Sequence, residues 1–456
     1  MLRRPWPLAL VLLAAGVPAR AQGPTSLSRS GSGARAAGMA HAFVAVSDDG
    51  TAASWNPAGL AQLRNPELSL VYALHDRALR LTGMRSADGR TAYSNRRFSL
   101  STASVDFASA ALPLTLWRRP VTVQVGWQRI YQLAGRQSGD VLRTPVAEPA
   151  AEPAVLSVQT EARGDIDRAS FSAAVKLTSR LSVGGGFNLW RGAWTERLAF
   201  AEPAAGVSDM ATLHADNRVR GENVSAGLLL TWPRLNVGLV YHSPFWSRYT
   251  FRRQIHSSLG PPDVLDGGER ARFRFPRLLG LGLAWRPAPR WTVAADLTHD
   301  QWTDTLVAGL AGRPEPFNFF DAAAPEFSTT RDTLSFNLGA EHLFLREGSV
   351  LPVRVGFGWE PQGGMDPATG DSVDYLMVAL GGGYNTNRLK FDAALQYRWA
   401  GGRVGEIVSV STALRGGFER DAFGQAHVRE WRLKVSAIYR IPDTDGLKAI
   451  VRKVFG

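Results

Sequence analysis

Residues 389–399 read LKFDAALQYRW, and the reading of this stretch decides the fold. Leu389, Phe391, Ala393, Leu395, Tyr397 and Trp399 share one face of an extended chain, while Lys390, Asp392, Gln396 and Arg398 share the other. A period of two is the signature of a strand, because successive side chains point to opposite sides of the pleat. The same division recurs in Val121, Val123, Val125 and Trp127 against Thr122, Gln124 and Gln128. It recurs again in Trp291, Val293, Ala295 and Leu297 against Thr292, Asp296 and Thr298, and in Trp431, Leu433, Val435, Ala437 and Tyr439 against Arg432, Lys434, Ser436 and Arg440.

Alternation suits a soluble β-sandwich as well as the wall of a transmembrane barrel. Two features favour the barrel. The apolar face carries an aromatic near many strand ends, at Trp127, Tyr241, Trp285, Trp291, Trp359, Trp399, Trp431 and Tyr439, where a barrel places its interfacial girdles. The connections also alternate in length. The period predicts fourteen strands, the first at 67–75, the seventh at 234–256, the eighth at 268–286 and the last two at 388–400 and 427–441. Links after even-numbered strands are short, at 179, 233, 287–288, 347–349 and 387, with 112–119 somewhat longer; links after odd-numbered strands include 76–97, 135–162, 305–330 and 401–426. Short turns at one end and long loops at the other are the asymmetry of a bacterial outer-membrane barrel. The expected fold is therefore all-β, a transmembrane antiparallel barrel of about fourteen strands.

The amino terminus fits export. Arg3 and Arg4 precede an apolar run at 6–17 and the small-x-small sequence Ala19-Arg20-Ala21, which together predict a signal peptide over 1–21. That run is too short to span a bilayer, and no later uncharged apolar run approaches the roughly 20 residues a transmembrane helix needs. The chain has no Cys, which excludes a disulfide framework and thiolate chemistry. Its net charge of +12 comes almost wholly from Arg, with Lys only at 176, 390, 434, 448 and 453. These charges are scattered singly along alternating strands, a pattern that does not suit nucleic acid and fits lipid phosphates, loop carboxylates or an anionic ligand. The histidines at 41, 75, 214, 242, 256, 299, 342 and 427 are dispersed, with neither HExxH nor GxSxG among them. No catalytic residue, metal site or cofactor is expected, and the chain does not read as an enzyme.

Residues 33–60, GARAAGMAHAFVAVSDDGTAASWNPAGL, break the period. They are rich in Ala, Gly and Ser, so their backbone can press close to surrounding walls. The stretch Gly33, Arg35, Gly38, Met39, Ala42-Phe43-Val44-Ala45-Val46, Asp48-Asp49 and Trp55-Asn56-Pro57-Ala58-Gly59-Leu60 resembles the N-terminal plug of the FadL/TodX family of outer-membrane transporters for hydrophobic compounds. Phe275-Pro276-Arg277, residues 281–286 and Asp296 to Gln301-Trp302 resemble the mid-barrel hairpin of the same family; Tyr241-His242-Ser243-Pro244-Phe245 and residues 353–357 are weaker echoes. In Asn56-Pro57-Ala58 the proline removes its predecessor from the helical region and presets a turn, while the Asn side chain can cap neighbouring amides.

The resemblance implies a fourteen-stranded barrel whose lumen is plugged by an N-terminal hatch, and passive uptake of long-chain fatty acids or other hydrophobic small molecules, released sideways into the membrane through a gap at a kinked strand. It implies domains at 22–65 (hatch), 66–441 (barrel) and 442–456 (tail), an outer-membrane location, and a monomer. The tail places Leu447, Ile450, Val451 and Val454 at helical spacing among Lys448, Arg452 and Lys453, a pattern suited to a membrane surface. Related barrels that share the GxR…NPAGL segment serve as docking or shuttle components of protein secretion, which is the alternative reading. Hatch and gate candidates are Phe43, Asp48, Asp49, Trp55, Asn56, Pro57 and Ala58. Asp48 and Asp49 suit a solvated turn or a hatch salt bridge better than a cation site.

Within 181–198, parity turns Leu181, Val183, Phe187 and Leu189 to lipid and Gly184, Gly186, Asn188, Trp190, Trp194 and Glu196 to the lumen. Trp190 and Trp194 are candidate pocket walls. Glu196-Arg197 resembles a Glu-Arg pair near the family's binding region, where the cation would hold a carboxylate; parity instead turns Arg191 and Arg197 outward, towards lipid phosphates. Arg354, Lys390, Arg398 and Arg432 face inward, as solvating or hatch-anchoring charges.

Overall fold

The structure is a computed structural model that describes residues 31–86, 88–116, 118–133, 135–146, 154–204, 207–257, 269–310, 315–321, 323–365, 370–406 and 422–442. The expected signal peptide, residues 147–153 and the tail after residue 442 lie outside the described residues.

Fourteen strands form the wall. In chain order they are β1 (Glu67–Ser86), β2 (Arg96–Leu116), β3 (Arg119–Gln132, with an outer piece Gly135–Pro145), β4 (Ala154–Lys176) and β5 (Leu181–Ala204). Next come β6 (Val207–Thr231), β7 (Leu235–His242 and Phe245–Ser257), β8 (Glu269–Phe275 and Leu278–Trp285), β9 (Trp291–Asp300) and β10 (Thr333–Arg346). The last are β11 (Ser349–Glu360), β12 (Asp374–Asn385), β13 (Leu389–Glu406) and β14 (Ala422–Arg440). Each pairs antiparallel with the next, and β14 returns to β1 with Arg440 opposite Glu67 and Ala422 opposite Ser86. Closure leaves no sheet edge, which is what a β-structure in lipid requires, and an even-stranded closed barrel is the outer-membrane architecture.

The wall is dressed accordingly. Leu68, Leu70, Tyr72 and Leu74 of β1, Leu279, Leu281, Leu283 and Trp285 of β8, and Val353, Val355, Phe357 and Trp359 of β11 are exposed on the outside, while the residues between them face inward. Large apolar side chains on the outer face and polar ones inside invert a soluble core, and the inversion is the barrel's adaptation to lipid. No helix among the described residues is long and apolar enough to cross a membrane, which says nothing against crossing by strands.

Several strands run further than the alternation shows. β1, expected to end at residue 75, continues to Ser86, and β14 begins at Ala422 rather than 427. The cause is backbone pairing: His75 to Leu81 hold register with both β14 and β2 after the outward face has turned polar at Asp76 and Arg80. The link expected over 112–119 shrinks to residues 117–118, because β2 pairs with β3 as far as Leu116 opposite Arg119. β7 and β8, each expected as one strand, are interrupted side by side at Ser243-Pro244 and Pro276-Arg277, where proline has no N–H for the ladder.

Inside this wall lie residues 31–65. They contain one short helix, Ala34–Gly38, and two 3-10 turns, Ala52–Ser54 and Pro57–Gln62, with nearly every residue from 32 to 60 buried.

Candidate functional site

A plug with so little regular structure must find partners for its backbone elsewhere, because a buried unpaired amide or carbonyl is costly. The wall supplies them. Amide side chains from well-separated strands donate to plug carbonyls: Gln124 to Gly50 (2.6 Å), Asn236 to Ala45 (3.1 Å), Asn337 to Ala40 (2.8 Å) and Gln396 to Ala37 (3.0 Å). Carboxylates receive plug N–H groups. Asp296 accepts from Phe43 (2.6 Å) and Val44 (2.8 Å), and Glu67 accepts from Gly50 (2.8 Å).

The Asn56-Pro57-Ala58 turn is held twice. The Asn56 side chain accepts from the Ala58 amide (3.1 Å), capping the 3-10 turn that Pro57 opens, and its amide group donates to Val44 O and to Leu228 O of β6 (both 3.1 Å). Two wall glycines make room. A Cβ on Gly184 would lie 2.5 Å from the backbone of Pro57 and Ala58, and one on Gly356 would lie 2.5 Å from the backbone of Met39 and Ala40. Trp55 donates to Ser32 O (2.7 Å) and packs against His41 and Phe43, with ring centroids 5.6 and 5.9 Å away.

Charges anchor the plug along one side of the lumen. Arg35 pairs with Asp48 and with Glu341 of β10 (2.9 Å); Glu341 also binds Arg354 (2.7 Å), which reaches Asp392 of β13 (2.7 Å). Arg398 bridges Glu360 and Glu430, and Lys434 binds Asp106 (2.9 Å), which also accepts from Ser32 of the plug. Asp49 accepts from Thr51 N (2.9 Å) and Oγ1 (2.6 Å). Burial pushes the Asp49 carboxyl up, but Lys390, Arg35 and the two Thr51 donors outweigh it and hold the group below the ordinary carboxylate range. Asp48 and Asp49 therefore serve plug geometry, and among the described residues no cluster has the makings of a metal site.

The opposite side of the lumen is aromatic. Trp190 and Trp194 of β5 are buried, 2% and 4% exposed, in a cluster with Phe245, Tyr249 and Phe251 of β7, Phe275 of β8, and Phe317 and Phe319. Phe245 and Phe275 stack at 4.8 Å, and Trp190 lies 5.2 Å from each. Trp194 stacks on Tyr249 at 5.9 Å. The polar edges are satisfied, with Trp190 Nε1 donating to Asn223 (2.9 Å) and Trp194 Nε1 to Glu196 (3.0 Å). Inward-facing Arg168 places its guanidinium 5.9 Å from the Trp190 ring and donates to Gln128 (2.6 Å).

Beside this cluster the wall loosens. The β2–β3 ladder runs only from Phe107 opposite Gln128 to Leu116 opposite Arg119, and β2 carries a register shift at Asp106. From Arg96 to Asp106, β2 pairs with β1 but, among the described residues, has no ladder to β3. A Thr102 to Gln132 side-chain hydrogen bond (2.8 Å) crosses the interval, and Ile130, Tyr131 and Leu133 at the top of β3 pack on the aromatic cluster. Between plug and wall, the cavity lined by His41, Val44, Trp55, Val240, Leu278 and Asp296 holds about 50 Å³. That is far below the roughly 300 Å³ at which ligand pockets begin, so this cavity as it stands is too small for a drug-sized ligand.

The structure brings Phe43, Asp48, Asp49, Trp55, Asn56, Pro57 and Ala58 together in the plug, and Trp190, Trp194 and Glu196 together in the lumen. The ligand-binding place that the resemblance gives Arg197 is corrected in favour of its parity: it is exposed on the outer face opposite Glu161 and His214, because no bulge interrupts β5 between Trp190 and Arg197 to reverse the alternation. The lumenal cation beside the cluster is Arg168. Phe245, Tyr249 and Phe275 were not visible as partners in the sequence, since they meet Trp190 and Trp194 only through the pairing of strands far apart in the chain; their signal was the inward parity of aromatics flanking Pro244 and Pro276.

No protein-family model matches the chain, and no curated protein sequence does. Solved structures do. A FadL homologue of Pseudomonas aeruginosa superposes with a TM-score of 0.63 at 14% identity, covering 90% of this chain and 98% of that one. The toluene transporter TbuX of Ralstonia pickettii gives 0.55 at 14% identity, covering 91% and 100%. The toluene transporter TodX of Pseudomonas putida gives 0.55 at 15% identity, covering 91% and 99%. Across about nine tenths of its length, the chain has the fold of the FadL and TodX barrels.

Proposed function

We propose that this protein is a passive outer-membrane channel for hydrophobic small molecules, gated by the plug. The observation that carries the reading is the buried aromatic cluster around Trp190, set against the unpaired interval between β2 and β3. An apolar molecule leaving water gains by entering such a cluster, and a sideways exit into the bilayer spares it a second crossing of water. On this reading the aromatic rings part around the ligand, and the Arg96–Asp106 half of β2 borders the exit. A long-chain fatty acid would place its carboxylate at Arg168; a neutral aromatic compound would use the rings alone. The likeness to barrels described as toluene transporters supports uptake of this chemical class.

The test is proteoliposome uptake of a labelled long-chain fatty acid and of labelled toluene, with the full chain and with a deletion of residues 33–60. Uptake of either compound by the full chain, with altered gating in the deletion, is the expected result. Failure to move both sinks the reading for these substrates, and copurification with a secreted protein would favour a secretion role instead.

A further inference from the structure

Four arginines stand in register across four neighbouring strands on the outer face. Arg191 of β5 lies opposite Arg220 of β6, Arg220 opposite Arg248 of β7, and Arg248 opposite Arg272 of β8. All four side chains are exposed, and parity turns them away from the lumen. Arg218 and Arg270, also exposed, stand two residues further along β6 and β8 on the same face, each opposite Thr250.

Like charges directly opposite one another destabilise a sheet, so a row of four calls for a counter-charge. Of the neighbouring carboxylates, Asp167, opposite Arg191 at the β4 end of the row, lies 3.6 Å from Arg129, Asp304 lies 3.2 Å from Arg274, and Asp216 lies 3.7 Å from the His214 ring. Glu222, exposed on the row's membrane-side flank opposite Leu189, adds one more negative charge, so four arginines face fewer carboxylates than they number. No ion pair joins any of the four arginines to a carboxylate among the described residues. The Arg272 guanidinium does sit 5.2 Å from the Trp246 ring, which orients it without neutralising it.

The height of the row matches a membrane boundary. From Leu181, at the short-turn end of β5, to Arg191 the strand advances about 33 Å at the usual rise, or about 25 Å along the barrel axis at a tilt of about 40°. That equals the roughly 25 Å apolar band of an outer-membrane barrel. Below the row the outward residues of β5 to β8 are mostly apolar, including Phe187, Val224, Leu239 and Leu281, with Glu222, Arg274 and Arg277 the charged residues on its near flank. The arginines therefore meet the headgroups of the leaflet on the long-loop side, which is the external one. Three inter-strand steps make the row about 14 Å long, enough to hold two separate phosphates. Arginine, unlike lysine, offers a planar fork that binds phosphate through two hydrogen bonds.

We propose that the Arg191, Arg220, Arg248 and Arg272 row is a binding site for the phosphates of a phosphorylated glycolipid in the outer leaflet, independent of what the lumen carries. The test uses the purified full chain in neutral detergent, titrated with diphosphorylated lipid A, with its dephosphorylated form and with inorganic phosphate, and read by native mass spectrometry and thermal unfolding. Wild type should retain the diphosphorylated lipid at least tenfold more tightly than the dephosphorylated one or inorganic phosphate, and should unfold at higher temperature with it. The R220Q/R248Q double variant should lose at least tenfold in lipid affinity, yet without lipid should unfold no earlier than wild type, because repulsion has been relieved. R220K/R248K should fall between, and R290Q, at an exposed turn on the opposite rim, should bind as wild type does. Equal retention by R220Q/R248Q, equal binding of the dephosphorylated lipid, binding of inorganic phosphate as tight as that of the lipid, or a less stable lipid-free double variant would each overturn the proposal.

Discussion

The Asp296 carboxylate and the Phe43 amide, 2.6 Å apart, fasten the plug to the wall across a sequence separation of 253 residues. The same oxygen takes the Val44 amide at 2.8 Å, so one side chain fixes two consecutive peptide groups. Asp296→Ala would leave both amides buried without an acceptor, at a cost of about 3 kcal/mol. Asp296→Asn keeps an acceptor and should cost less. In planar bilayers the Ala variant should pass larger and more frequent currents than wild type, with Asn between; identical traces for all three would show that the anchor does not restrain the plug.

Gly184 of β5 faces the backbone of Pro57 and Ala58, where an added methyl would lie 2.5 Å from main-chain atoms. Main chain cannot swing aside as a long side chain can, so Gly184→Ala should act as overpacking, destabilising by about 1–3 kcal/mol. The barrel should stay closed while protease reaches residues 31–65. Limited proteolysis followed by mass spectrometry of the released fragments distinguishes a lifted plug from a generally loosened barrel.

Arg168 separates two kinds of ligand. If a carboxylate settles beside the Trp190 ring, Arg168→Gln should lower fatty-acid uptake by about tenfold, the worth of one charge-assisted contact of about 1.4 kcal/mol, while toluene uptake stays unchanged. Trp190→Ala should lower both and, as an aromatic truncation, cost about 3–5 kcal/mol in stability. Uptake is therefore best compared with Trp190→Phe, which keeps a ring. Equal loss of both compounds in Arg168→Gln would make that residue a support for the cluster rather than a ligand contact.

Thr102 and Gln132 face each other across the interval between β2 and β3. A Thr102→Cys/Gln132→Cys variant joined by a short bismaleimide should block delivery of a hydrophobic probe into the bilayer, in a chain that has no native Cys. Ion current through the lumen should be unaffected. If the linked protein delivers the probe at the wild-type rate, the molecule leaves by another route.

Much of this design was legible in the sequence because it depends on parity. The alternation in residues 389–399 placed Asp392, Gln396 and Arg398 inside before any contact was known, and each proves to hold the plug or the charged side of the lumen. The same rule put Trp190 and Trp194 inside and Arg197 outside. It failed where strands leave the membrane, since beyond Leu74 the outward face of β1 no longer needs to be apolar and only backbone pairing carries the strand on to Ser86. It also could not show who meets whom. Trp190 finds Phe245 and Phe275, Asp296 finds Phe43, and Arg191 finds Arg220, through barrel registers that no single strand encodes.

The plug's bonding also constrains the order of assembly. Residues 31–65 are made before the strands that enclose them, yet their partners include Asn337 and Gln396, which bind plug carbonyls, and Glu341, which binds the Arg35 side chain, all in the last third of the chain. Contacts of such long range are entropically expensive to form early and correspondingly slow. Those bonds to the plug cannot form until the strands that carry Asn337 and Gln396 have been made. The Gln396 bond to Ala37 waits for β13, so the plug is made before the wall yet completes its bonding only with the wall's late strands.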